Sequence, residues 1–283
     1  MPEITILPNG GKMYIKAPTP TRPQPKRQKC KGWTQNATRR NTDFLMSVES
    51  PKLTGHGLAL SLTVKDCPDT PIDWQTVRTR FVKRLRRSGM IRLHWLTEWQ
   101  RRQVPHLHLA VWFDRPIDPR TVVRHWLESS KVHQPRAQGQ HAAAITGPLG
   151  WFEYLAKHAA RGVSHYQRSP ELIPPGWQGN TGRVWGHVGH WPTAETKTLD
   201  VPEPVWHQFR RLSIRYQQGK ALRQSDLSRY RYFSRYRQKA PIETSRAQAL
   251  PRLWIPEYDQ WQLICCAFDS HHSKSIDTVN KND

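Results

Sequence analysis

The chain has 283 residues, and its 44 Lys plus Arg against 22 Asp plus Glu give a formal net charge of +22 at pH 7. That excess of positive charge predicts a polyanionic partner, of which nucleic acid is the most common. The sequence contains no apolar run of about 18 residues and no charged-then-apolar N-terminal pattern, so we expect neither a membrane span nor secretion. Four cysteines without paired spacing are typical of a reducing compartment, which predicts a cytoplasmic protein.

Composition divides the chain into four regions. Residues 1–50 combine closely spaced prolines and a basic cluster with little apolar periodicity, so we expect a disordered basic arm. The other three regions are a folded domain over 51–195, a basic, partly helical accessory region over 196–270 and a disordered tail over 271–283.

The folded region carries apolar patterns of period two and period 3.6 in turn. In chain order they predict a strand over 57–65, a helix over 73–88 capped by Asp73, a hairpin over 91–113, a helix from Asp118 and Pro119, a strand over 140–146 and a helix over 148–162. This order predicts an α+β fold. We expect an antiparallel sheet of four to five strands, of the ferredoxin-like split βαβ type, with helices on one face and a basic helical C-terminal region.

The hairpin holds a candidate metal site. Strict alternation in its second strand places His106 and His108 on one face. A register in which paired residue numbers add up to 204 or 206 puts Glu98 opposite one of them. Two imidazoles and a carboxylate leave positions open on a divalent metal, and the mixed ligands suit Mn or Mg, with Zn possible. The alternative is that both histidines are solvated while Glu98 pairs with Arg101 or Arg102.

The helix over 148–162 holds a candidate nucleophile. Tyr154, Lys157 and Arg161 recur at helical spacing on a face away from the apolar stripe. A phenol is a poor nucleophile at neutral pH, and a nearby cation such as Lys157 favours its phenolate form. The alternative is that Lys157 pairs with Glu153 and Tyr154 is an ordinary surface aromatic.

Arginines interleaved with tyrosines follow in the accessory region, where guanidinium groups can contact phosphates while rings stack on unpaired bases. The alternative is a solvated helix with tyrosine anchors. Across the chain the candidate DNA-binding residues are Arg101, Arg102, Arg161, Arg229, Arg231, Arg235 and Arg237.

Three motifs in this order resemble those of the HUH endonucleases, and specifically the single-tyrosine rolling-circle replication initiators of bacterial plasmids and of filamentous or other single-stranded DNA phages. The motifs are the strand Leu58–Thr63, the segment Pro105–His108 preceded by Glu98, and Tyr154–Lys157. The likeness covers about residues 55–190, which makes 51–195 the HUH endonuclease domain.

This resemblance implies a DNA nicking and joining enzyme. His106, His108 and Glu98 would bind the metal, and Tyr154 would attack the scissile phosphate with help from Lys157. The products would be a 5′-phosphotyrosine link and a free 3′-hydroxyl primer, and reversal would rejoin the strand. His158 stands four residues after Tyr154, where a second tyrosine would otherwise lie, so the single-tyrosine subgroup fits better.

The same resemblance implies partners. These are single-stranded and origin DNA, with a host helicase and a host polymerase in a bacterial cytoplasm. The sequence has no phosphate-binding loop of the Walker type, so we expect no nucleotide cofactor. Two alternatives stay open, namely a strand transferase of the HUH transposase or relaxase type and a non-catalytic basic DNA-binding protein.

Overall fold

The computed structural model describes residues 2–15, 29–145, 163–238 and 254–279. The strands are β1 (Pro2–Leu7), β2 (Gly10–Ile15), β3 (His56–Thr63), β4 (Met90–Trp99), β5 (Pro105–Phe113), β6 (His141–Ala144), β7 (Trp185–Gly189) and β8 (Lys197–Asp200). The α-helices are α1 (Gln35–Ser47), α2 (Pro71–Arg87), α3 (Pro119–Ser129), α4 (Glu203–Arg223), α5 (Leu227–Gln238) and α6 (Glu257–Val279). None of the helices in these ranges has both the length and the apolarity needed to cross a membrane.

The chain divides into two compact units. The central unit comprises Gln24–Leu45 and Glu49–Pro192. The terminal unit comprises Met1–Pro23, Met46–Val48 and Thr193–Asp283. The folded region predicted over 51–195 corresponds to most of the central unit. The central unit also includes Gln24–Leu45, which the prediction left out.

The central unit is built on a five-stranded antiparallel sheet with the order β6-β3-β5-β4-β7. Its first four strands in chain order, with α2 and α3 between them, have the split βαβ connectivity, and β7 extends the sheet beside β4. The predicted α+β class and its antiparallel sheet are therefore confirmed. One side of the strands forms a continuous core with α2 and α3. That core includes Leu58, Leu60, Leu62, Trp74, Val77, Phe81, Leu85, Leu107, Leu109, Val111, Val122 and Trp126.

The N-terminus of α2 differs by one turn from the prediction. Thr70, not Asp73, is the N-cap, and its hydroxyl oxygen accepts from the backbone N–H of Asp73. The Asp73 carboxylate in turn accepts from the backbone N–H of Thr70 at 3.1 Å, which completes a capping box. Asp73 therefore takes part in capping α2, but as the third residue of the helix rather than as the N-cap. α3 begins at Pro119, where a helix was predicted, and Asp118 is its N-cap.

The other side of the sheet, which carries His106 and His108, is also packed against a helix. Phe44 of α1 stacks on His187 of β7 with 4.1 Å between ring centroids. Asn41, also on α1, is hydrogen-bonded through its Oδ1 to His94 Nε2 at 2.8 Å. The prediction of helices on a single face thus omitted α1, which lies within the region expected to be disordered.

The terminal unit contains the sheet β2-β1-β8 and the helices α4 to α6. Ile4 and Ile6 of β1 are fully buried in a core shared with Val205, Phe209 and Ile264. The disordered arm predicted over 1–50 is therefore wrong for 2–15 and for α1, and the tail predicted from 271 continues α6 to Val279. The short apolar pattern at the N-terminus is stabilised by residues about 200 positions away, which no local signal reveals. The proline cluster lies outside the described residues.

Candidate active site on the five-stranded sheet

The β4–β5 hairpin aligns a carboxylate with two imidazoles. Glu98 is directly opposite His106, and Leu96 is opposite His108, so paired numbers add up to 204. This is one of the two predicted registers, and it places Glu98 on the face of the sheet that carries the histidines. The two imidazole rings lie side by side, with centroids 4.3 Å apart and an interplanar angle of 40°.

His108 is oriented by its neighbours on both sides. Ser61, its partner on β3, places Oγ 3.0 Å from Nδ1. On the other ring nitrogen, Nε2 lies 3.5 Å from Glu98 Oε2. In the tautomer whose Nδ1–H donates to Ser61, Nε2 carries a lone pair that faces Glu98 Oε2. Because Nε2 and Oε2 are both electron-rich, a cation close to both atoms is favourable.

Glu98 is also held by a buried arginine. Arg168 Nε donates to Glu98 Oε1 at 2.8 Å, and both side chains are 0% exposed. The Arg168 guanidinium carbon lies 3.8 Å from the ring centroid of Trp33, whose Nε1 donates to the carbonyl of Thr97 at 2.7 Å. This partner overturns the alternative in which Glu98 pairs with Arg101 or Arg102.

The metal-ligand geometry is incomplete in the described ranges. No group of three His, Cys, Asp or Glu side chains among those residues is placed to hold a metal ion. At Glu98, Arg168 engages one of the two carboxylate oxygens. The adjacent imidazoles of His106 and His108, with the second oxygen of Glu98 beside His108, are the donor groups that this face provides.

Comparisons with known proteins identify the family. A family model described as replication-associated protein ORF2/G2P matches residues 57–166, a span that includes the whole hairpin. The replication-associated protein G2P of Pseudomonas phage Pf3 is 45% identical over 250 residues, which cover 87% of this chain and 89% of that protein. The chain belongs to the replication-associated protein ORF2/G2P family. A protein of Xylella fastidiosa strain 9a5c named as a replication protein is 44% identical over 264 residues, which cover 90% of this chain and 93% of that protein.

A second relative from Xylella fastidiosa, in strain Temecula1, is also named as a replication protein. It is 42% identical over 257 residues, which cover 88% of this chain and 97% of that protein. No solved structure matches the chain. The three relatives cover 87–90% of this chain, well beyond the hairpin.

The predicted nucleophile of this ORF2/G2P member lies in the segment between the described ranges 29–145 and 163–238. Tyr154, Lys157 and Arg161 all lie outside the described residues. The described chain resumes at residue 163, and the turn Tyr166–Arg168 packs beside β4, where Arg168 reaches Glu98. Tyr166 itself is 53% exposed.

The predicted DNA-binding arginines have different surroundings. Arg101 is exposed, and its guanidinium carbon is 5.7 Å from the ring centroid of Tyr166. Arg102 is bound to the chain after β3, because its guanidinium donates to the carbonyl oxygens of Lys65 and Val64. Arg231 is exposed on α5. For Arg229, Arg235 and Arg237, the α5 backbone is described and the side chains lie outside the description.

Sequence reasoning missed the residues that support Glu98 and His108. Arg168 follows the tyrosine motif in a stretch without clear periodicity, and it lies 70 residues from Glu98 in the sequence. Ser61 could have been found, because it occupies the histidine face of the strand paired with β5. Trp33 lies in the region predicted to be disordered and gave no signal.

Proposed function

We propose that this protein is a replication initiator of the HUH type that nicks and rejoins single-stranded origin DNA. The register of the β4–β5 hairpin carries the proposal, because it gathers His106, His108 and Glu98 on one face. Membership of a replication-associated family supports the biological setting. The reaction class is supported by the motif order that ends at Tyr154.

The types of donor group on this face are those that a divalent cation takes. Two imidazoles and one carboxylate oxygen are the ligands of a mixed nitrogen and oxygen site, for which Mn or Mg is the expected ion. Ser61 and Arg168 orient His108 and Glu98 in the way that outer partners fix metal ligands. When bound there, the cation supplies Lewis-acid stabilisation of negative charge on the scissile phosphate.

The residues of the chain perform a transesterification. The phenolate oxygen of Tyr154 attacks the phosphorus, and the bond from phosphorus to the 3′ oxygen breaks. The protein then carries a 5′-phosphotyrosine, and the departing oxygen takes a proton to become a 3′-hydroxyl. Lys157, one helical turn from Tyr154 in the predicted helix, favours the phenolate. Attack by a 3′-hydroxyl on the phosphotyrosine reverses these bonds and rejoins the strand without ATP.

Single-stranded DNA at the replication origin is the substrate class. The net charge of +22 favours a nucleic-acid backbone. The 3′-hydroxyl left by the nick is a primer for a host polymerase. Strand separation is assigned to a host helicase, because the sequence has no Walker-type loop of its own.

The test uses the full-length protein, a labelled single-stranded origin oligonucleotide and Mn²⁺. The expected product is a protein–DNA adduct that survives denaturation and disappears in Tyr154→Phe, while oligonucleotide binding is kept. Tyr166→Phe is the matched control, since Tyr166 is an exposed tyrosine beside the same hairpin. An undiminished adduct in Tyr154→Phe would assign the nucleophile elsewhere. Binding without any adduct in the wild type would leave a non-catalytic DNA-binding protein.

A further inference from the structure

The opposite side of the five-stranded sheet carries an arginine whose charge the described residues do not neutralise. Arg78 of α2 lies with its guanidinium carbon 3.6 Å from the ring centroid of Trp95. Its Nε is buried and has no hydrogen-bond partner in the part of the chain that the structure describes. Burial, together with the like charge of Arg183, lowers the pKa of Arg78 to about 9. A desolvated cation next to a second cation is costly unless an anion joins them.

The Trp95 ring beneath Arg78 packs against β7. Trp95 is paired with Gly186, and a Cβ at that position would come within 3.1 Å of the indole ring. Glycine therefore lets the indole lie close against β7 under the guanidinium. This gives a structural role to Gly186, which the sequence alone does not explain. The segment that leads into β7 supplies Arg183, which is exposed.

Exposed cations also lie on α2, on the side of the helix that points away from the sheet. The helix has six basic residues and one acid, Asp73, which is engaged in the capping box. The outward side of α2 carries the α2 basic stripe, which consists of Arg80, Lys83, Arg86 and Arg87, all exposed. Arg84 instead pairs with Glu128 of α3 at 2.6 Å. The helix dipole accounts for cations in the last turn, but it does not account for Arg78 two turns earlier.

The chemistry of this surface matches phosphate rather than bases. A guanidinium presents a planar set of donors that fits phosphate oxygens, and a second cation beside it adds attraction. The exposed residues of α2 include no aromatic ring on which an unpaired base could stack. Evenly spaced backbone phosphates on a stacked duplex suit such a surface better than a single strand does.

We propose that the α2 side of the sheet is a second DNA-binding surface, which holds the backbone of duplex DNA. Arg78 and Arg183 bind one phosphate between them, and the α2 basic stripe contacts other phosphates of the same duplex. This surface lies across the sheet from the histidines, so duplex beside the nick can be held while single-stranded DNA reaches the other face. The proposal goes beyond the nicking function and does not depend on it.

The first test measures the affinity for a 20-base-pair duplex of arbitrary sequence, by fluorescence anisotropy over a range of NaCl concentrations. The variant Lys83→Gln/Arg86→Gln/Arg87→Gln is expected to lower the slope of log affinity against log salt by roughly 2 to 3, since each lost phosphate contact contributes about 0.9. The matched control, Lys31→Gln/Arg40→Gln/Lys52→Gln, removes three exposed charges elsewhere in the central unit and should change the slope by less than about 0.5. Equal losses in the two variants, or no loss in the first, would overturn the proposal.

The second test addresses the Arg78 anchor. Arg78→Met keeps an apolar stem over Trp95, and we expect a duplex affinity at least about tenfold weaker. In combination with Arg183→Gln the loss should be less than additive, because both side chains bind the same phosphate. If Arg78→Met does not fold, the test is amide hydrogen exchange of the wild-type protein, measured with and without the duplex. Duplex should then protect the amides of α2 and of residues 182–189, and protection confined to other segments contradicts the proposal.

A single-stranded adduct assay on the same variants separates this proposal from the nicking function. The α2 basic stripe variant should form the adduct at the wild-type rate, because its substitutions lie on the other side of the sheet. Loss of duplex binding with normal adduct formation supports the second surface. A normal salt slope for duplex binding rejects it, whether or not the adduct forms.

Discussion

Arg168 and Glu98 form a fully buried ion pair, with 2.8 Å between Nε and Oε1, across 70 residues of sequence. The pair connects the chain that follows the tyrosine motif to the hairpin that carries the histidines. Because Trp33 stacks on Arg168 and donates to the backbone of β4, the carboxylate is fixed from two directions. Glu98 is therefore oriented before any cation or DNA binds.

Removing Arg168 should destabilise the protein strongly. Arg168→Met leaves the Glu98 carboxylate buried without this partner, and we expect the free energy of unfolding to fall by about 3–5 kcal/mol. The double variant Arg168→Met/Glu98→Gln should recover part of that loss, because the buried charge is also removed. Urea unfolding of the two variants and the wild type measures the difference. Equal losses in the single and double variants would show that Arg168 acts through packing alone.

The serine beside His108 should affect metal affinity. Ser61→Ala removes the hydrogen bond that fixes the Nδ1 side of the ring, and such outer partners typically contribute 10- to 100-fold in affinity, so we expect Mn²⁺ to bind roughly that much more weakly. Isothermal titration calorimetry of Mn²⁺ binding measures the change. The matched control is Ser88→Ala, which removes a Ser–His hydrogen bond of similar length to His125, away from the hairpin. Unchanged affinity in Ser61→Ala would remove Ser61 from the site.

Burial of His94 should make stability depend on pH. Burial, with a smaller contribution from the like charge of His187, lowers the pKa of His94 from 6.5 to about 3. Below pH 6.5 the unfolded chain therefore binds a proton that the folded chain excludes. Stability is lost as the pH falls from about 6.5 towards 3, at up to about 1.4 kcal/mol per pH unit. Above pH 6.5 this contribution is constant.

The variant His94→Phe has no ionisable group at this position, so it tests whether His94 causes the loss of stability at low pH. The variant should lose less stability than the wild type between pH 6.5 and pH 4, as measured by urea unfolding at several pH values. His56→Gln is the control, because His56 is exposed at the start of β3. Parallel pH profiles for the wild type and His94→Phe would contradict the assignment.

Local patterns predicted much of the central unit. The alternation around His106 and His108 fixed the face, and the length of the connection between the strands limited the register to two possibilities, one of which is observed. The caps of α2 and α3 were recognisable, although Thr70 and Asp73 share the first cap. These features depend on neighbours within a few residues, which is why periodicity and capping rules can find them.

The elements that could not be predicted depend on distant partners. β1 is ordered by a core that includes Ile264, and α1 is held by aromatic contacts to β7. Arg168 reaches Glu98 from a turn without periodicity. The residues next to β1, α1 and Arg168 in the sequence give no information about these distant contacts. Composition therefore predicted disorder in segments that long-range burial orders. The nucleophile assignment remains a prediction, because Tyr154 lies outside the described residues.

Peptide mapping of the protein–DNA adduct tests the central claim most directly. After incubation with a single-stranded origin oligonucleotide and Mn²⁺, nuclease and trypsin digestion should give a peptide over residues 137–157 that carries a 5′-linked phosphonucleotide on Tyr154. His106→Ala should abolish that species. A nucleotide found instead on the peptide over residues 162–168, which contains Tyr166, or linked through its 3′ end, would contradict the account.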